Sequence, residues 1–244
     1  MIYNILLTVY FVSILLIVCI LTIPVLIIIY PFVNQKQFAY VTECAGSLIL
    51  KSMIFLGVWK VKITDMRKNK TFNEQYVIVS NHCSYIDTLL MWQLPLYKKF
   101  MMAKKFTYIP IFGQICKACG HVLVNRFDRT TTYGAIDKAI DTMKDESSFV
   151  MFPEGRRSEN PNSILPFKTG AFRLSQKLNV PILPIAIKGS GKALPVGGLC
   201  NPADIEIIIG DPVYVSSKYD DIKSHPAIDQ TRRFIYDQLK DHKK

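Results

Sequence analysis

The chain has 244 residues, 50% of them hydrophobic, with 30 Lys and Arg against 19 Asp and Glu for a net charge of +11. That length holds one sizeable domain with an appendage. The basic charge is scattered, with no recognition motif and no aromatic-basic interleaving, which argues against nucleic acid as the partner. The six cysteines show no disulfide-framework spacing and fit a reducing compartment. Cys116-Lys-Ala-Cys119-Gly-His121 fails as a haem attachment site because the His does not follow the second Cys directly, and fails as a zinc site for want of a second ligand pair. At helical spacing these thiols read as packing residues.

Residues 1–35 contain no Asp, Glu, Lys or Arg. A bilayer core needs about 20 apolar residues as helix, so this run predicts a membrane anchor, kinked at Pro24 and ended by Pro31. It lacks the basic start, the short apolar stretch and the small-residue cleavage site of a signal peptide. Every basic residue follows it, which directs the rest of the chain to the cytoplasmic side, at a bacterial inner membrane or the endoplasmic reticulum. A basic body beside an anionic membrane surface gains about 1 kcal/mol per well-placed Lys or Arg. Residues 37–58 predict an amphipathic helix lying on the membrane or back on the first, and a polar loop follows at 65–70.

Beyond it, strand signals fall at 75–80, 99–103, 121–125, 148–152 and 181–188, with a further pair at 205–209 and 213–215. Helix signals fall at 84–93, 131–144, 170–178 and 229–241. Alternating strands and helices with near-continuous apolar strands predict an α/β layered domain, its sheet mostly parallel (mixed) and flanked by helices. The expected division is an anchoring helical segment, 1–60, and an α/β domain, 61–244.

Four short blocks sit at strand ends, where open α/β sheets gather their sites. The first is Asn81-His82-Cys83-Ser84-Tyr85-Ile86-Asp87. A carboxylate that holds one ring nitrogen of a His protonated, and stabilises the imidazolium, makes a general base that works near neutral pH. No Gly-x-Ser-x-Gly elbow supplies a nucleophile, so the base is expected to activate a hydroxyl of the substrate. The second block, Gly120 to Arg126, is a strand delivering an arginine at its exit. The third, Phe152-Pro153-Glu154-Gly155-Arg156-Arg157-Ser158, ends a strand in an acidic-basic turn. The fourth, Val180 to Ile185, is a buried strand whose prolines point to a sheet edge or an irregular start.

In this order and separation the blocks resemble the glycerolipid acyltransferase family, nearest to the 1-acyl-sn-glycerol-3-phosphate (lysophosphatidic acid) acyltransferases. The likeness covers about residues 76 to 187. The resemblance implies that His82 and Asp87 are the catalytic pair, His82 taking the proton of the acceptor hydroxyl as it attacks an acyl thioester. It nominates Arg126, Glu154, Gly155 and Arg157 for the glycerol-phosphate acceptor, with Lys104 of Ala103-Lys104 as a further phosphate contact. Guanidinium groups suit that task because they bind phosphate bidentately. The implied partners are a membrane lipid acceptor and acyl-CoA or acyl carrier protein as co-substrate, with no metal or redox cofactor.

The residues leave other readings open. His82 alone is more often a packed residue, and Asn81 or Ser84 could simply cap the next helix. Glu154 could be structural, bonding backbone N–H groups of its turn. Arg156 stands where the family usually has threonine, either tightening phosphate binding or pointing to solvent. The acceptor could be glycerol-3-phosphate or another lysophospholipid, and a catalytically silent membrane-binding protein would keep the same fold.

Overall fold

The computed structural model describes the whole chain except residues 73, 126–128, 145, 162, 218–220 and 241–244, and no side chains for 129–133. Among the described residues seven strands form one sheet: β1 (Trp59–Asp65), β2 (Val77–Ser80), β3 (Lys98–Ala103), β4 (Val122–Val124), β5 (Ser148–Met151), β6 (Ile182–Lys188) and β7 (Ala203–Ile209). Their order is β1-β7-β6-β2-β5-β3-β4, with β6 and β7 antiparallel and the other neighbours parallel. The helices are α1 (Ile2–Ile29), α2 (Gln35–Phe55), α3 (Asp87–Met91), α4 (Phe112–Ala118), α5 (Arg129–Met143), α6 (Gly170–Leu178), α7 (Ser190–Ala193) and α8 (Pro226–Leu239).

Strand periodicity builds the layers. Val77 and Val79 of β2 join Phe149, Met151 and Ile182 in a core under α5, α6 and α8. Ile78, Val150 and Leu183 point the other way, into a core with Leu7 of α1, Leu50 and Met53 of α2, and Leu90 and Met91 of α3. A sheet covered on both faces needs apolar residues at every position of its inner strands, and β2 is buried throughout. Each such side chain contributes about 1.5–3 kcal/mol of burial.

The N-terminal hairpin rests on this body at a few points. Phe11 meets Trp59 at 5.7 Å, and Asn4 Nδ2 donates to Asn201 Oδ1 at 2.7 Å. Lys98 Nζ, fully buried, pairs with Glu43 Oε2 of α2 at 3.0 Å. Of the 28 residues of α1 only Leu7 and Leu26 are buried. Both α1 and α2 are long and apolar enough to cross a membrane. Pro24 lies inside α1, and the helix gives way after Ile29 to a 3-10 turn with Pro31 at Tyr30–Phe32.

Helix α6 has the expected bounds because Asn179, at φ 53°, closes it in the left-handed conformation. Helix α3 is shorter than expected because residues 82–84 are bonded to Asp87 and Leu194 instead of winding into a turn. Helix α8 begins earlier, at Pro226, whose missing N–H costs nothing in a first turn. The expected strand at 213–215 reduces to one bridge, Val213 with Ile182. Strand β6 corrects the edge reading of the fourth block, since it lies between β7 and β2. Pro184 is tolerated there because its side of the strand faces the irregular stretch between Gly210, whose N–H donates to the Pro184 carbonyl at 2.9 Å, and Val213.

Candidate active site

The carboxyl ends of β2, β5, β3 and β4 lie side by side, and three of the sequence blocks leave the sheet there. Strand β2 ends at Ser80, but Asn81 extends its ladder through the side chain. Its Nδ2 donates to the Ile187 carbonyl at 2.9 Å and its Oδ1 accepts from the Ile187 N–H at 2.8 Å. The next residue, His82, thus leaves the sheet from a fixed point.

Its ring is held from two directions. Nδ1 lies 2.7 Å from Asp87 Oδ2, and the ring stacks on Phe152 at 4.1 Å and 16°. Asp87 Oδ2 also accepts the N–H groups of Cys83 and Ser84, each at 2.9 Å. An oxygen already accepting two backbone N–H groups is an acceptor towards the ring as well. Nδ1 therefore carries the ring proton, and Nε2 is the basic nitrogen. His82 and Asp87 are 3% and 0% exposed. The other carboxyl oxygen, Asp87 Oδ1, is buried with no hydrogen-bond partner among the described residues.

The third block clamps the backbone of His82. Glu154 Oε1 accepts the His82 N–H at 2.9 Å while its Oε2 accepts the Leu165 N–H at 2.9 Å, and the Ser158 N–H donates to the His82 carbonyl at 2.8 Å. Glu154 is 4% exposed, so both its oxygens serve buried backbone rather than an open pocket. Burial pushes its carboxyl up to about 7, against the two N–H bonds that favour the carboxylate. The turn needs Gly155 because its φ of +73° lies in the left-handed region that side chains rarely adopt, and a Cβ there would also push aside the flexible end of Lys168, 2.8 Å away at Cε and Nζ.

Arg157 is half-buried. Its guanidinium carbon sits 4.0 Å over the Tyr85 ring, and its Nε donates to the Ser84 carbonyl at 3.3 Å. That places it on the loop that carries His82. Burial lowers its pKa, with Tyr85 and Asp87 acting in the opposite direction. Arg156, next to it, is exposed. Lys104 is exposed in the turn after β3, at the same sheet edge but two strands from β2, or about 10 Å at the usual strand spacing. Arg126 lies outside the described residues. Cys83, between His82 and Ser84, is a buried thiol pushed up to about 12 by its burial, with Asp87 adding to the shift, so it stays protonated at neutral pH.

Four contributors escape a reading of the sequence alone. Asn81 reads there only as a cap, and its pairing partner is 106 residues away. Phe152 and Tyr85 are aromatic residues inside the blocks, and only the fold brings their faces to His82 and Arg157. Lys168 stands just before α6, and its signal is no more than a basic residue two places ahead of a helix.

Comparison with known proteins gives the same region a context. The model of the acyltransferase family matches residues 60–188. A chloroplastic 1-acyl-sn-glycerol-3-phosphate acyltransferase of Brassica napus is 32% identical over 160 residues, covering 65% of this chain and 46% of that protein. The 1-acyl-sn-glycerol-3-phosphate acyltransferase of Escherichia coli is 32% identical over 127 residues, 51% of each chain. The chain thus spans about half the length of these relatives. The crystal structure of the 1-acyl-sn-glycerophosphate acyltransferase PlsC from Thermotoga maritima superposes with a TM-score of 0.79 over 98% of this chain and 95% of that one. At 21% identity that likeness concerns the fold.

Proposed function

Since the chain belongs to the acyltransferase family, we propose that it transfers an acyl group to the sn-2 hydroxyl of 1-acyl-sn-glycerol-3-phosphate, giving phosphatidate. The donor is a thioester, acyl-CoA or acyl carrier protein. The observation that carries this reading is the 2.7 Å contact of His82 Nδ1 with Asp87 Oδ2, in a loop to which Arg157 is also bonded.

The chemistry follows from that arrangement. The acceptor hydroxyl gives its proton to His82 Nε2 as its oxygen bonds to the thioester carbonyl carbon. Asp87 stabilises the imidazolium so formed. The tetrahedral adduct collapses, the carbon–sulfur bond breaks, and the imidazolium returns the proton to the departing thiolate. The thioester itself carries the activation, so the scheme calls on no metal or redox group. Among the described residues the hydrogen bonding of Arg157 uses Nε, which leaves its Nη groups for an acceptor phosphate. Lys104 and Lys168 supply further positive charge at the same edge, and Arg126 belongs to the same proposal on sequence grounds. The uncharged α1 supports a membrane anchor that keeps this edge at headgroup level on the cytoplasmic side.

The test uses the full chain in mixed micelles. His82→Ala should lower turnover of lysophosphatidate by about 10²–10⁴-fold, and near-normal turnover would overturn the base. Lysophosphatidylcholine offered beside lysophosphatidate tests the acceptor, since faster use of the choline lipid would refute a bare-phosphate site. Acyl-CoA and acyl carrier protein compared at equal concentration identify the donor.

A further inference from the structure

Among the described residues outside the N-terminal helices, the densest exposed apolar run is the loop between β3 and α4 with the first residue of α4. Tyr108 is 81% exposed, and Ile109, Ile111 and Phe112 are 49%, 43% and 39% exposed. The chain turns sharply here. The Phe112 N–H donates to the Pro110 carbonyl at 2.7 Å, with Ile111 between them at φ 68° and ψ −43°. This is a γ-turn of the rare positive-φ kind, strained for any side chain and more so for a β-branched one.

The loop adjoins α1. Ile111, Ile115 and Ala118 on one side and Ile23, Leu26 and Ile27 on the other line an open groove of about 740 Å³. The α1 face that continues it is exposed, with Ile27 and Ile28 at 63% and 67%. Lys104 and Lys105 precede the loop, exposed, and Lys117 stands on the groove wall. Two stretches distant in sequence thus share one apolar face with a basic rim. Scattered apolar residues on a surface are ordinary, but a continuous patch bordered by charge marks an interaction surface.

We propose that the loop 108–112 is a second membrane-inserting element, entering an anionic lipid leaflet beside α1. Two observations select lipid as the occupant. The patch is continuous with α1, which has no charged residue and is buried at only two positions. Its rim is Lys, which matches anionic headgroups and lets long side chains reach the interface. The loop also follows the carboxyl end of β3, at the sheet edge that carries His82. Insertion there would bring the candidate site to the level at which a lipid hydroxyl lies, and that last step rests on the proposed function.

The experiment compares Tyr108→Trp in the full chain with a control, Tyr214→Trp. Tyr214 is 68% exposed and neighbours Val213, bridged to Ile182 at the amino end of β6, opposite the carboxyl ends of the strands near His82. Each variant is bound to vesicles of equal parts phosphatidylcholine and phosphatidylglycerol with brominated chains, and its added emission is measured against the parent protein. Tyr108→Trp should be strongly quenched and Tyr214→Trp untouched. No quenching of the first variant, or equal quenching of both, would overturn the proposal. An unquenched signal from Tyr108→Trp that shifts instead on adding acyl carrier protein would identify a protein-docking surface and overturn it too. Ile109→Asp provides a second reading, with turnover of a bilayer-embedded acceptor expected to fall several-fold and that of a short-chain monomeric acceptor unchanged. Equal loss on both acceptors would contradict insertion. The quenching arm measures no catalysis, so its failure is separable from failure of the acyl-transfer reading.

Discussion

On the side proposed for the base, His82 and Asp87 are almost wholly buried, and the His82 N–H, carbonyl and ring nitrogen Nδ1 are each bonded at 2.7–2.9 Å. On the side proposed for phosphate, Arg157 lies over the Tyr85 ring and makes one 3.3 Å hydrogen bond to the Ser84 carbonyl, and Tyr85, Lys104 and Lys168 are exposed. The difference matches the two tasks. Proton transfer needs its atoms within a few tenths of an ångström, and a small misplacement there can cost about 10²-fold in rate. A phosphate presents several equivalent oxygens and tolerates a mobile cation. A lipid headgroup arriving at a membrane surface also needs an approach that a closed network would block.

The sharpest way to break this comparison is to remove the charge from the closed side while keeping its shape. Asp87→Asn with its carbonyl at the Oδ2 position retains all three N–H bonds. What it loses is the attraction between carboxylate and imidazolium, about 4 kcal/mol at 4 Å and an effective dielectric constant near 20. We expect turnover to fall about 10³-fold with the acceptor KM little changed. The new amide N–H group replaces the buried, unpartnered Oδ1 and costs about 1–3 kcal/mol of stability, so urea unfolding accompanies the assay. A fall of less than tenfold in a folded variant would show that Asp87 only orients the ring.

Glu154 tests whether the closed side carries strain. Its folded-state pKa, about 7, lies above the ordinary carboxyl value of 4.5. The folded protein therefore holds a proton that the unfolded chain releases between these values. Its stabilising contribution is complete below about pH 4.5, declines as pH rises through this window and is lost above about pH 7. The full change is about 3 kcal/mol. Glu154→Gln cannot titrate, so the stability gap between the two proteins should narrow from pH 5 to pH 8 in urea unfolding. Parallel curves would mean that the N–H bonds from His82 and Leu165 outweigh burial and keep the group ionised throughout.

How much of this is legible in the sequence depends on whether the signal is local. The His82 and Asp87 pair, the Gly155 turn and the layered fold can be read because each is written in neighbouring residues. Strand β1 escapes such a reading although Trp59, Val61 and Ile63 alternate with lysines. The pairs that explain those lysines, Lys60 with Asp204 and Lys62 with Glu206, join residues 144 positions apart, and the pattern is that of an edge strand. Glu154 reads either as a ligand or as a structural carboxylate. Only the fold brings the Leu165 and His82 N–H groups to its two oxygens. Likewise Pro184 reads as an edge signal because the irregular stretch that accommodates it lies across the sheet, after β7.

The smallest expected effect probes the open side, where among the described residues Arg157 is held by the Tyr85 ring and the Ser84 carbonyl rather than by a salt bridge. A cation over an exposed aromatic face contributes about 0.5–1 kcal/mol, and the 3.3 Å bond to the Ser84 carbonyl alone would leave the guanidinium free to swing. Tyr85→Leu should therefore raise the KM for lysophosphatidate about two- to fivefold and leave turnover at saturation unchanged. Tyr85→Phe, which keeps the ring, should behave as the parent protein. A purely structural role for the Tyr85 ring would lower stability and turnover together in Tyr85→Leu, and equal KM values in all three proteins would show that the ring does not position the cation. If Tyr85→Leu instead lowered turnover with KM unchanged, the ring would be acting on His82 through the shared loop, and the separation between a fixed base and an adaptable phosphate side would fail at the residue that joins them.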